Sequence, residues 1–307
     1  MANRRRVTSA GRAHSFGGDW TSTKLDVLEK YLTAYTIALR NKPTAERPFR
    51  KAYIDAFAGT GYRTMRRGEE PTSDLLFPDL ADNAPQTLLD GSARLALMTQ
   101  PRFDRYIFIE RDAGRCAQLE ALRSEFTDLA PDISVERGEA NEAIQQICRK
   151  EWRAHRAVLF LDPYGMQVEW KTIEAVARTH AIDLWLLFPL GIGVNRLLTR
   201  SGDISPSWRK RLDSLLGTQA WYDEFYRVEH DPTLFGTDER RVEKASVETI
   251  GRYFRDRLKT IFPGVAEPGV LRNSTNCPLY LLCFAAGNAN GARVALKIAN
   301  HLLKEVR

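Results

Sequence analysis

Short, continuously apolar runs alternate with amphipathic stretches along most of the chain. From Thr23 onward, Leu25, Leu28, Leu32, Tyr35 and Leu39 recur at three- and four-residue steps, the period of a helix with one apolar face. Asn41 and Pro43 close that helix. Five runs follow that do not alternate with polar residues: Ala52 to Ala58, Tyr106 to Ile109, Ile133 to Val135, Ala157 to Leu161 and Ile182 to Phe188. A strand with one wet face alternates, whereas a strand apolar throughout is covered on both faces, as in a parallel sheet. Helical periodicity fills the gaps over residues 92–99, 115–126, 139–150 and 171–178. The alternation predicts a doubly wound α/β sheet with its chemistry at the carboxyl ends of the strands.

One stretch interrupts this pattern and another follows it. Residues 62–89 carry Pro71, Pro78 and Pro85, with Arg63, Arg66 and Arg67 ahead of a run of acids, and read as an insertion loop over the site. Beyond Pro189 the pattern turns polar and helical, over residues 208–216 and 246–261. Residues 270–273 and 279–285 look like an antiparallel hairpin, and 292–303 a closing amphipathic helix. The expected organisation is a basic tail over 1–22, an N-terminal helix over 23–45, and a core over 46–194 containing the loop. A helical insertion over 195–265 follows, and a hairpin and helix over 266–307 complete the sheet.

Composition narrows the class. At 307 residues the chain can form one large domain or two ordinary ones, and it buries enough surface to need no disulfide or metal staple. Hydrophobic residues at 43% and charged residues at 27% exclude global disorder and a fibrous chain. Cys116, Cys148, Cys277 and Cys283 show no CxxC spacing, so a zinc ribbon, a redox pair and a disulfide scaffold lack support. The five histidines show no HxxxH or HExxH spacing, and no metal is expected. No apolar run approaches ~18 residues and the basic N-terminus has no apolar segment, so a cytoplasmic protein without a membrane span is the expectation. Forty-five Lys and Arg against 39 Asp and Glu leave a net charge of +6, which permits a polyanionic partner without requiring one. Arg4, Arg5, Arg6 and Arg12 all precede the first acid, Asp19, as a solvated tail or a nucleic-acid arm.

Candidate chemistry collects at the strand ends. Asp55 precedes Gly59-Thr60-Gly61, where a backbone can turn tightly against a ligand and an acid can meet an amine; alone, this is also an ordinary turn. Glu110 ends the second strand, the place from which an acid reaches ribose hydroxyls or simply faces water. Glu139 and Asn141 follow the third, placed either to meet an adenine amino group or to cap the next helix. Asp162-Pro163-Tyr164-Gly165 follows the fourth and resembles the fourth motif of amino-methylating methyltransferases. A base amine is a poor nucleophile because its lone pair is delocalised into the ring. A carboxylate and a main-chain carbonyl that accept its N–H bonds favour pyramidal nitrogen, and an aromatic neighbour can stack on the extruded base. Singly, Asp-Pro after a strand is a turn signal; the four features on four successive strands are unlike coincidence. Asn195, Arg196 and Arg200 after the fifth strand, and Arg63, Arg66 and Arg67 in the loop, are candidate phosphate contacts or solvated cations. Trp208, Trp221 and Tyr222 read as core rather than base-stacking platforms.

Taken in order, DAFAGTG, FIERD, FLDPYG, IDLWLLFPLGIGVNRLL and PLYLLCFAAGN resemble the three-Cys-motif partner protein family. These are bacterial relatives of Rossmann-type S-adenosylmethionine-dependent methyltransferases, found beside a gene whose product carries three clustered cysteines. The similarity runs from about Lys24 to the C-terminus and is weakest in the loop. It implies a seven-stranded, mostly parallel sheet with an antiparallel last strand, and S-adenosylmethionine as cofactor. By the same resemblance Asp55, Phe57, Ala58, Gly59 and Gly61 cradle the methionine part, Glu110 holds the ribose, and Asn141 with Glu139 lies near the adenine. Asp162, Pro163 and Tyr164 form the acceptor site. The single proline departs from the two usual in DNA amino-methyltransferases and is similar to the Asp-Pro-Phe-Gly form of some guanine-amino tRNA methyltransferases. The implied activity is methylation of an exocyclic base amine in DNA or RNA. The alternatives are a protein or small-molecule acceptor, or a non-catalytic scaffold holding a nucleic acid or the three-Cys protein.

Overall fold

The opening helix α1 (Asp19–Ala38) is fixed by a stripe of buried positions: Lys24, Val27, Leu28, Tyr31, Leu32, Tyr35 and Thr36. Their three- and four-residue spacing turns one face of the helix to the core. The computed structural model describes residues 19–56, 84–163, 165–232 and 238–306. After α1 come β1 (Arg50–Ala56), α2 (Ala84–Met98), β2 (Arg105–Glu110), α3 (Ala113–Glu125), β3 (Ile133–Arg137) and α4 (Ala140–Cys148). The alternation continues with β4 (His155–Leu161), α5 (Trp170–Arg178) and β5 (Ile182–Phe188). A π-helical turn over Leu190–Val194 then leads into α6 (Asn195–Leu197), α7 (Pro206–Leu216) and α8 (Trp221–Phe225). The chain ends with β6 (Tyr226–Pro232), β7 (Asp238–Lys244), α9 (Val247–Lys259), β8 (Gly264–Val265), β9 (Gly269–Arg272), β10 (Pro278–Ala286) and α10 (Ala289–Lys304).

The five apolar runs pair in parallel, in the order β3-β2-β1-β4-β5. β10 runs antiparallel beside β5, and β8 and β9 pair with opposite ends of β10. Eight strands thus fill seven positions, which is the doubly wound, mostly parallel sheet with an antiparallel strand that the sequence implied. Side-chain alternation sorts the core into two layers. Tyr53, Phe108, Phe160, Trp185 and Phe284 face α1, α2, α3 and α10, while Ile54, Ile109, Leu159, Leu186 and Phe188 face α4, α5, α7 and α9.

Two details sharpen the sequence expectations. The segment after residue 194 is not wholly helical: β6 and β7 form a separate antiparallel ribbon. Its strands are mostly charged, with Val228 opposite Val242 among them, so they offer no apolar run to signal a strand. Trp221 is buried and its Nε1 donates to Asp213 Oδ1 at 2.7 Å, a core role. Among the described residues no helix is long and apolar enough to cross a membrane.

Candidate functional site

The register of three adjacent strands brings three carboxyl groups to one edge. Ala56 of β1 pairs with Ile109 of β2 on one side and Leu161 of β4 on the other. Glu110 and Asp162 therefore lie one position beyond that level, and Asp55 one before it. Alternation places all three on the face of Tyr53, Phe108 and Phe160, beneath α1 and α2. The strands bearing Glu110 and Asp162 are two apart, about 10 Å at ordinary strand spacing.

Each carboxyl has its own surroundings. Asp55 is fully buried; the Tyr53 hydroxyl donates to its Oδ2 at 3.0 Å, and Ser92 of α2 also hydrogen-bonds to it. Burial pushes its pKa up to about 7, against the two hydrogen bonds, with Asp162 adding to the rise and Lys24 opposing it. Glu110 is 3% exposed, and its Oε1 accepts from the Asp112 backbone N–H at 2.6 Å. Its Oε2 is buried with no partner among the described residues. Burial pushes this carboxyl, too, up to about 7, although the Asp112 N–H and the Arg115 charge act against the rise. Carboxyls poised near neutrality at a sheet's carboxyl edge are the kind of perturbed groups that mark functional sites.

Asp162 is held differently. Lys24, from α1, donates to its Oδ2 at 2.5 Å across 138 positions of sequence. The lysine is fully buried, with its Nζ 5.3 Å from the Trp20 ring centroid and 5.9 Å from that of Phe160. Asp162 keeps 22% of its side chain exposed, and its second oxygen has no partner among the described residues. Sequence reasoning missed Lys24. The available signal was its place in the buried stripe, four residues before Leu28 and seven before Tyr31.

Of Glu139 and Asn141, Glu139 performs the capping half of the alternative left open for them, and Asn141, inside the helix, bonds elsewhere. Glu139 caps α4, its Oε2 accepting from the Glu142 N–H at 3.0 Å and its Oε1 from Asn141 Nδ2 at 2.9 Å. Asn141 donates further to the Gln167 carbonyl at 2.9 Å and accepts from the Glu169 N–H at 3.0 Å and Thr172 Oγ1 at 2.9 Å. Both amide hydrogens and both oxygen lone pairs are taken, so an adenine amino group would have to displace a partner. The amide fastens α4 to the segment between β4 and α5. In that segment Pro163 is buried and Gly165 has φ +71°, a left-handed conformation that favours glycine.

Asn195, Arg196 and Arg200 follow the π-helical turn at the carboxyl end of β5, beside β4 and on the same edge. Arg196 and Arg200 are exposed. The Asn195 and Leu198 carbonyls accept from Lys244 Nζ of β7 at 2.7 and 2.8 Å, which ties the ribbon to this edge. Gly191 is required by close approach: a Cβ there would stand 1.9 Å from the Pro278 carbonyl oxygen of β10. Phe57, Ala58, Gly59, Gly61, Arg63, Arg66, Arg67 and Tyr164 lie outside the described residues.

No family model matches the chain, and no curated protein sequence does. Among solved structures, spermidine synthase from Thermotoga maritima aligns at 11% identity with a TM-score of 0.41, covering 92% of this chain and 63% of that one. The chain thus spans less than two-thirds of that enzyme's length. A Legionella pneumophila protein of the DUF519 family aligns at 12% identity and TM-score 0.35, covering 78% of this chain and 94% of that one. A candidate S-adenosylmethionine-dependent methyltransferase from Listeria monocytogenes aligns at 10% identity and TM-score 0.35, covering 87% and 97%.

Proposed function

We propose that the chain is an S-adenosylmethionine-dependent methyltransferase whose acceptor is an exocyclic amine of a nucleic-acid base. The observation that carries the reading is the pairing, on one face of one sheet edge, of two carboxyls that each keep an oxygen without a partner among the described residues: buried Glu110 and part-exposed Asp162. A buried, unpartnered carboxyl oxygen at the end of the second strand fits a pair of donor hydroxyls such as those of a ribose. Asp55 fits an ammonium, and a charged partner there favours its ionised form against the burial that raises its pKa. The cofactor, when bound, supplies an activated methyl on a sulfonium.

The remaining work falls to the chain's own groups. The open oxygen of Asp162 accepts an N–H of the acceptor amine, holds the nitrogen pyramidal and aims its lone pair; positioning supplies most of the rate. Tyr164, as the aromatic of the motif, stacks on the extruded base. Arg196 and Arg200 take phosphates at the rim of the same edge.

The test has two parts. Calorimetry with S-adenosylhomocysteine asks whether the pure protein binds the cofactor's product form. Incubation with methyl-labelled S-adenosylmethionine and separate DNA, RNA and protein pools asks where the label goes. Label is expected in a nucleic-acid pool, lost in Asp162→Ala while the cofactor still binds. Absence of binding sinks the reading. Label in the protein pool keeps the transferase and changes the acceptor, whereas binding without transfer favours a scaffold for a nucleic acid or a three-Cys partner.

A further inference from the structure

We infer that Lys24 is a positioning residue of the acceptor site, holding one oxygen of Asp162 so that the other faces the incoming amine. The inference rests on the transferase reading of Asp162; the contact itself does not. A buried ammonium is unfavourable unless it is paired, and an apolar residue usually serves packing better. Lys24 nevertheless occupies a core position of α1, in the stripe of Val27, Leu28 and Tyr31. There it gives a charge-assisted bond to Asp162 Oδ2 at 2.5 Å.

The surroundings restrict that ammonium. The rings of Trp20 and Phe160 lie within 6 Å of it, in reach of cation–π attraction. Among the described residues, the titratable groups facing the pair include Asp55 and its hydrogen-bonded neighbour Tyr53, both on β1. The Asp162 charge opposes ionisation of Asp55, and the Lys24 charge favours it. A carboxylate free to turn about its side-chain bonds offers either oxygen in many directions. With Oδ2 bonded from the helix side, that freedom is cut down, in a residue that keeps 22% of its side chain exposed. The reaction demands this of it, because misplacement by about 1 Å can cost about 100-fold in rate.

The full chain is prepared as wild type, Lys24→Met, Lys24→Arg, Asp162→Asn and the Lys24→Met, Asp162→Asn double variant. Transfer from labelled S-adenosylmethionine to genomic DNA and to total RNA is measured alongside calorimetric binding of S-adenosylhomocysteine. Lys24→Met is expected to lose about 100-fold in kcat, with cofactor affinity unchanged and much of the rate restored in Lys24→Arg. Urea unfolding of the four-member cycle is expected to be non-additive, the double variant being no less stable than the weaker single one. Should Lys24→Met not fold, Lys24→Gln, a donor without charge, is read in the same way. Wild-type rates in Lys24→Met, faster rates, or an additive cycle overturn the inference and leave the transferase standing. A loss of cofactor binding equal to the loss of rate makes the role structural and also overturns it. A wild type that binds the cofactor yet labels neither pool removes the base-methylating reading, and the inference falls with it.

Discussion

Glu110→Gln should weaken cofactor binding while relieving the protein of a destabilising group, and the two effects can be measured separately. The carboxyl's pKa stands at about 7 in the fold against an ordinary 4.5. A group whose folded pKa is raised stabilises the protein fully below its unfolded value and loses that contribution as pH rises through the folded one. The gap corresponds to about 3 kcal/mol, lost between the ordinary value and about pH 7 in the wild type and absent from the variant's curve. The Gln oxygen can still accept from the Asp112 N–H, but its amide nitrogen, in place of the unpartnered Oε2, meets a site with no acceptor among the described residues, which returns ~1–3 kcal/mol. Urea unfolding at about pH 5 and about pH 8 should therefore show a flatter pH dependence, with little net change at the higher pH. Binding moves the other way. Losing hydrogen bonds to a charged acceptor costs about 1.5–3 kcal/mol, or about 10- to 150-fold in Kd for S-adenosylhomocysteine. A Kd within twofold of wild type would refute the placing of the ribose on Glu110, and an unchanged pH dependence of stability would refute the raised pKa of its carboxyl.

Three further outcomes are expected. Gly191→Ala drives a methyl group into the Pro278 carbonyl and should destabilise by about 1–3 kcal/mol, read as a lower urea midpoint with an unchanged m-value. Tyr31→Phe removes the hydroxyl that donates to buried Asp183 at 2.8 Å and should cost about 1–3 kcal/mol. Because burial already pushes Asp183 up to about 6, losing a donor to its ionised form raises it further, so the cost should be greater at about pH 8 than at about pH 5. Arg196→Ala and Arg200→Ala should each lower the salt dependence of duplex binding by about 0.9 in log–log slope if each holds one phosphate; an unchanged slope removes that residue from the interface.

Much of the sheet was legible in the chain because buried parallel strands leave continuous apolar runs, and the polar residue ending each run is conspicuous. Glu110 and Asp162 were found in that way, and Asp55 from its place before Gly59-Thr60-Gly61. What escaped depended on partners distant in sequence. Lys24 looks like one more solvated charge beside Asp26, and the sequence alone favoured Leu25 as the inward residue. The burial pattern instead runs through Lys24, Val27, Leu28 and Tyr31. Asp183 was hidden inside an apolar run; its carboxylate accepts from Tyr31 and from the backbone of Gly287, far along the chain. Asn141 remained ambiguous because capping and ligand contact ask for the same side chain, and its bonds to Gln167, Glu169 and Thr172 join it to partners 26 to 31 positions away. The ribbon of β6 and β7 was invisible because most of its residues are charged and leave no apolar run.

The last position of the sheet is divided between a two-residue and a four-residue strand. A long open border would present a ladder of idle amide and carbonyl groups on which a foreign chain could template itself. Here the Val270 amide is already engaged by the carbonyl of Val306, and the Glu267 amide by Asn300 Oδ1. The final helix, through Asn300, and Val306 just beyond it thereby occupy two of the border's donors. Removing Val306 would return the Val270 amide to the border as a free donor for strand pairing.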